Sequence, residues 1–141
     1  MSGQEALGRL INLCHTADNV YVNLGDAGAV TFICQLDAGD TFTVTEATAL
    51  GGTGAQVLTT VTQFYKASKA GTGTWTKVTQ AAASTVVTSD AVVAVFTLRG
   101  EELSDGYSFV KVASTSTGTV MAVLHDLKTQ RTPANLPAVS A

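Results

Sequence analysis

In the stretch Asp40-Thr41-Phe42-Thr43-Val44-Thr45-Glu46, the apolar Phe42 and Val44 alternate with threonines. A period of two is what a strand shows when one face meets a core and the other meets water. Similar runs predict strands at residues 20–24, 29–36, 57–66, 74–79, 86–87, 91–98, 107–113 and 119–127. Between them lie Gly25-Asp26-Ala27-Gly28, Asp37-Ala38-Gly39-Asp40, Gly51-Gly52-Thr53-Gly54, Ala70-Gly71-Thr72-Gly73 and Ser104-Asp105-Gly106. Their residues tolerate positive φ or make side-chain turn bonds. Seven to nine short strands separated by turn signals predict an all-β fold, a single β-sandwich of jelly-roll or immunoglobulin-like type with extended terminal arms. The sandwich is expected over residues 1–128 and an extended tail over 129–141.

Two of these runs are apolar on both faces. In residues 91–98, Val92, Ala94, Phe96 and Leu98 share one side and Ala91, Val93 and Val95 the other. In residues 119–127, Val120, Ala122 and Leu124 oppose Met121, Val123, His125 and Leu127. A strand apolar on both faces has to be covered on both. Without evident covering helices, the second cover is expected from a terminal arm or another subunit, which makes Met121, Val123 and Leu127 candidate interface residues. The tail carries both prolines of the chain, Pro133 and Pro137, which favour extended backbone before them and donate no ladder bond. Leu136 and Val139 are its candidate anchors on a neighbouring subunit, the alternative being a frayed end. Two readings stay open for residues 5–14. Leu7, Leu10, Ile11 and Cys14 have helical spacing and Ser2 with Glu5 has that of a capping box, while Gly8 weakens a helix in favour of a strand or extended arm.

Composition sharpens this picture. Thr (22), Ala (20), Val (17) and Gly (13) make up 72 of the 141 residues, and charged residues only 13%. Thr and Val lose side-chain freedom in helices and sit well on a pleated surface. A positive mean hydropathy of +0.26 and a net charge of −3 exclude a wholly disordered chain. Eight Lys and Arg against eleven Asp and Glu argue against a nucleic-acid partner, whose phosphates require a basic surplus. No apolar run approaches the roughly 20 residues of a membrane-spanning helix, and residues 1–20 lack the basic start and apolar core of a signal peptide. The expectation is a soluble protein made without export and with no membrane partner. Cys14 and Cys34 are too few for a disulfide framework and are expected to be reduced, Cys34 as a small buried hydrophobe.

The search for chemistry leaves no catalytic constellation. His125-Asp126 and His15 with Asp18 are the nearby His and carboxylate pairs, and consecutive strand residues point to opposite faces, so His125 and Asp126 are not expected to meet. Cys14, His15, Cys34 and His125 lack the paired spacing of a zinc site. Asp37, Asp40, Glu46, Glu101, Glu102 and Asp105 sit mostly in turn contexts, where carboxylates solvate a loop or bond its backbone rather than act as a glycosidase pair. Gly51-Gly52-Thr53-Gly54 lacks the Lys-Ser/Thr of a phosphate loop and the third glycine of a dinucleotide loop. Trp75 with Tyr65 and Tyr107 could form an aromatic platform for a sugar, although core or interface packing is the commoner role. The chain is therefore expected not to be an enzyme, and no cofactor or metal is expected.

The Thr-, Ala-, Gly- and Val-rich body is accompanied by several longer phrases. These are Phe42-Thr43-Val44-Thr45-Glu46-Ala47-Thr48, Gly106-Tyr107-Ser108-Phe109-Val110-Lys111-Val112, Val123-Leu124-His125-Asp126-Leu127 and Gln130-Arg131-Thr132-Pro133-Ala134-Asn135-Leu136-Pro137. Together they resemble small virion structural proteins of tailed bacteriophages, most of all the head decoration, cement or minor capsid group. The resemblance implies a β-sandwich or jelly-roll-like domain on the outside of the capsid, often a trimer, that clamps adjacent major capsid protein subunits against internal pressure. It also implies a homo-oligomer located on the virion capsid surface, made in the host cytoplasm, with no catalytic residues. The alternatives are a tail or baseplate component and a carbohydrate-binding sandwich that uses Trp75.

Overall fold

A computed structural model describes residues 11–14, 17–36, 38–88, 92–131 and 135, with main chain only for residues 12–14. The described strands are β1 (Ile11–Cys14), β2 (Val22–Asn23), β3 (Ala27–Gln35), β4 (Asp40–Ala47), β5 (Gln56–Val57), β6 (Val61–Ser68), β7 (Thr76–Ala83), β8 (Thr85–Thr88), β9 (Val92–Arg99), β10 (Phe109–Ser114) and β11 (Thr119–Leu127). A short 3-10 turn, η1 (Gly100–Glu102), follows β9. Two antiparallel sheets result, one in the order β1-β11-β3-β9-β6-β7 and the other β2-β10-β4-β5. Strand β8 pairs with Asp40–Thr43 on the edge of β4 that β5 occupies at Thr45 and Glu46.

The two sheets pack as the β-sandwich that the alternation predicts. In β4, Phe42 and Val44 are buried while Thr41, Thr43 and Thr45 are only partly so. From the six-stranded sheet, Val30, Phe32, Cys34, Ala94, Phe96, Leu98, Val120, Ala122 and Leu124 enter the core; Val22, Phe42, Val44, Val86, Val110 and Val112 come from the other. Phe32 and Phe96 face each other in register on β3 and β9, with ring centroids 5.6 Å apart.

Two of the predicted runs are regrouped in the structure. The run predicted as one strand over 57–66 is two strands in different sheets, because Leu58 turns into the core and its N–H bonds Val44 O at 3.1 Å. Strand β7 continues past the predicted end at residue 79 to Ala83, and after Ser84 the chain enters the opposite sheet as β8. Of the ambiguous N-terminal segment, Ile11–Cys14 is a strand paired with β11. Residues 5–10, Leu136 and Val139 lie outside the described residues.

Candidate functional site

The inner face of the six-stranded sheet is sealed by the second sheet, whereas its outer face carries apolar side chains with no protein layer among the described residues to cover them. Register defines this face. Met121 stands opposite Ile33, Ile33 opposite Val95, and Val95 opposite Tyr65. Paired residues in adjacent strands point to the same side of a sheet, so these four form one apolar row across β11, β3, β9 and β6. Met121, Ile33 and Val95 are half-buried by their neighbours and Tyr65 is 44% exposed. Val123, Thr31 and Thr97 form the next row on one side; Gln35, Val93 and Ala67 form it on the other.

Polar groups border the row toward the end of the sheet where β9 finishes. Thr31 Oγ1 lies 2.7 Å from Thr97 Oγ1 and 2.8 Å from His125 Nε2, so hydroxyls and an imidazole knit β9, β3 and β11 together. His125 Nδ1 faces Asp126 Oδ2 at 3.5 Å. The simple alternation of strand residues does not allow that contact, and the structure shows what breaks it. Asp126 has a positive φ of 54°, and the ladder passes from His125–Ala29 to Leu127–Ala27 without pairing Asp126. Gly28 makes the close approach possible, since a β-carbon there would meet Asp126 O at 3.0 Å.

The same irregularity corrects one interface residue. Leu127 does not share the outer face with Met121 and Val123; it packs against the core, beside Ala27, which is itself part of that core. Met121 and Val123 do stand on the outer face, and Ile33, Val95 and Tyr65 join them. The apolar second side of 91–98 signalled Val95 and Val93. Ile33 and Tyr65 needed the strand order, which brings them into line.

Asp40, Glu46, Cys34 and Tyr107 have structural roles within the fold. Asp40, buried at the start of β4, accepts from the N–H groups of Thr41 (2.7 Å), Thr115 (3.1 Å) and Gly118 (3.1 Å) and from the hydroxyls of Thr115 (2.9 Å) and Ser114. Glu46, also buried, accepts from Gln56 Nε2 (2.7 Å), Ser104 N–H (2.9 Å) and Ser104 Oγ (2.6 Å). Burial pushes both carboxyls toward the neutral form, but these hydrogen bonds outweigh it and hold both below the ordinary carboxylate range. Both are thus anchors for loops. Cys34 points into the core and His125 outward, so they cannot ligate one ion; the side chains of Cys14 and His15, and Asp37, lie outside the described residues. Tyr107 packs against the core and donates to Gly54 O at 3.1 Å, which withdraws it from a platform with Trp75 and Tyr65. No known family, curated protein or solved structure matches this chain.

Proposed function

We propose that this chain is a structural protein of a tailed-bacteriophage virion, a head decoration protein that binds the outside of the shell and stabilises contacts between major capsid protein subunits. The supporting observation is the row Met121, Ile33, Val95 and Tyr65 on the outer face of the six-stranded sheet. Six strands span five gaps of about 4.8 Å, which with eight residues at about 3.3 Å each makes a face on the order of 600 Å². That is close to the roughly 800 Å² that each partner contributes to a standard interface. Repetition over a lattice, as a trimer, multiplies such contacts without any turnover chemistry. The resemblance in the phrases around Phe42 and Val123 supplies the choice of a phage head.

Co-sedimentation of the protein with empty shells of its own virus tests this reading. Wild-type protein is expected in the shell pellet, and Val95→Lys, which places a charge in the middle of the row, is expected in the supernatant while remaining folded. Labelling of tails instead of heads would replace the decoration reading with the tail or baseplate one.

A further inference from the structure

Strand β7 ends the six-stranded sheet, and among the described residues nothing pairs with its far side. It runs for eight residues, whereas the other outermost strands, β1, β2, β5 and β8, run for four at most. Sheet edges that stay solitary are blunted by charge, proline or shortness. Thr76–Ala83 carries one charge, on Lys77, and no proline. Its register shift against β6 falls after Thr79, so the first half of the strand is regular.

Alternation fixes which main-chain groups of that half are free. Leu36 N–H bonds Val92 O at 3.1 Å one step beyond the Gln35–Val93 pair, so Leu36 and Val92 are a hydrogen-bonded pair. Such pairs alternate with non-hydrogen-bonded ones along an antiparallel ladder. Val93 and Val95 therefore turn their N–H and C=O away from β3 and toward Ala67 and Tyr65 on β6. Arg99 has the same parity, and its N–H goes to Glu102 Oε2 at 2.6 Å rather than to β3. Since Tyr65 and Ala67 bond β9, Phe64 and Lys66 bond β7, where they meet Val78 and Thr76. Lys77 and Thr79 are left with donors and acceptors aimed outward from the edge. Lys77, opposite Tyr65, stands on the outer face with Thr79, while Val78 points inward and packs against the core.

We propose that this edge pairs with β7 of a second copy, antiparallel, about a two-fold axis through Val78. The fit of the strand to itself selects that occupant. An axis normal to the sheet keeps each face on its own side, so Val78 meets the partner's Val78 as a close, non-hydrogen-bonded pair. Lys77 then meets the partner's Thr79, and each such pair exchanges its free main-chain bonds. Two residues further along, Trp75 comes opposite the partner's Ala81. Trp75 is the bulkiest exposed apolar side chain among the described residues, 56% exposed, and the exposed Ala81 and Ala82 leave room for its indole. No like charges stand directly opposite, which pairing about Lys77 would cause. An unrelated strand would bond the same edge without this matching of valine to valine and tryptophan to alanine. The pairing joins copies in twos and is independent of the virion reading.

Sedimentation of the full chain from about 1 μM to about 1 mM is expected to show a monomer–dimer equilibrium. A monomer throughout, with the edge covered by the chain's own end or kept for another partner, would overturn the proposal. Thr79 is exposed, so a charge there leaves the fold intact. Thr79→Glu sets a carboxylate opposite the partner's Lys77 at two symmetric places and is expected to tighten the dimer about fivefold; Thr79→Lys is expected to weaken it about fivefold. The same change from both variants, or none from either, would refute pairing in this register. With Cys14 replaced by Ser, Val78→Cys is expected to cross-link two chains on mild oxidation, because a close non-hydrogen-bonded pair has the spacing of a disulfide. Thr76→Cys is the control, since the two copies of residue 76 lie more than about 13 Å apart in this register. Cross-linking of both variants alike, or of neither, would count against the proposal.

Discussion

Gly118 lies directly against Phe42: a β-carbon on Gly118 would stand 2.8 Å from Phe42 Cζ and 2.6 Å from Asp40 Oδ2. Neither neighbour has room to give way, since Phe42 is wholly buried on β4 and Asp40 is held by the loop it anchors. Gly118→Ala is therefore expected to cost about 1–3 kcal/mol, the range for overpacking a filled site. Gly51→Ala is the control, because nothing lies within 4 Å of a β-carbon there; it should stay within about 0.5 kcal/mol of wild type. Urea midpoints of the two variants check the contrast, and equal midpoints would refute it.

Glu46 and Ser104 make a second long-range tie, joining the C-terminal end of β4 to the loop after η1. Replacing Glu46 by Ala removes a buried carboxylate and leaves the Ser104 N–H and the Gln56 amide, on residues that are themselves exposed, without their acceptor. The expected loss is about 2 kcal/mol. Ser104→Ala removes the 2.6 Å hydroxyl bond to Glu46 and the exposed 3.2 Å bond that the hydroxyl accepts from Gln56 Nε2, and keeps the main-chain one, so about 1 kcal/mol is expected. A smaller loss for Glu46→Ala than for Ser104→Ala in the same denaturation series would contradict this assignment.

These two ties also show where sequence reading stops. Phe42 and Val44 announced β4 by alternation alone, and Val92 to Leu98 announced a strand with two apolar faces, because a pleated surface imposes a local period. Glu46 carries no such signal. Its polar side chain at an inward position is made tolerable by Ser104, 58 residues away, and only the closed fold brings them together. Leu127 fails for a related reason, since counting by twos runs across Asp126, whose positive φ resets the count. The outer face was legible in part. Met121, Val123, Val93 and Val95 followed from apolar parity, while Ile33 and Tyr65 joined it through the strand order β11-β3-β9-β6.

Acid should unfold the protein through the same two carboxylates. Asp40 and Glu46 bind a proton more weakly in the fold than in the unfolded chain, where their ordinary values are 3.8 and 4.5. The unfolded state therefore takes up protons first as pH falls, and acid favours it. Their contribution is complete above those ordinary values and is lost as pH drops through the lower folded ones. Urea midpoints are expected to be flat from about pH 7 to 5 and to fall steeply below about pH 4. Asp40→Asn with Glu46→Gln should lower the neutral plateau and flatten the acid limb; a wild-type midpoint unchanged at about pH 2.5 would sink the idea.

The two sides of the six-stranded sheet should respond differently to substitution. Phe96 fills the core against Phe32, and Phe96→Ala is expected to cost about 3–5 kcal/mol. Val95, the next residue back, faces outward and is only half-buried, so Val95→Thr should cost less than about 1 kcal/mol. Thermal melts of the two variants test this. A comparable loss for Val95→Thr would mean that the outer face is already part of a closed core rather than a surface left for a partner.

Cys34 offers a chemical clock for opening of the core. It is fully buried on β3, and burial, with Asp18 and Asp40 adding to it, raises its thiol well above the ordinary range. Alkylation needs the thiolate, so in the native state both access and ionisation oppose it. With Cys14 replaced by Ser, iodoacetamide at about pH 8 is expected to modify Cys34 at least about 1,000-fold more slowly in native buffer than in denaturant. The native rate should rise with sub-denaturing urea in parallel with global unfolding, because Cys34 sits in the ladder between Val120 and Ala94, at the centre of the sheet. Rapid labelling insensitive to urea would show that β3 opens locally. That result would be incompatible with a core closed by β11 on one side and β9 on the other.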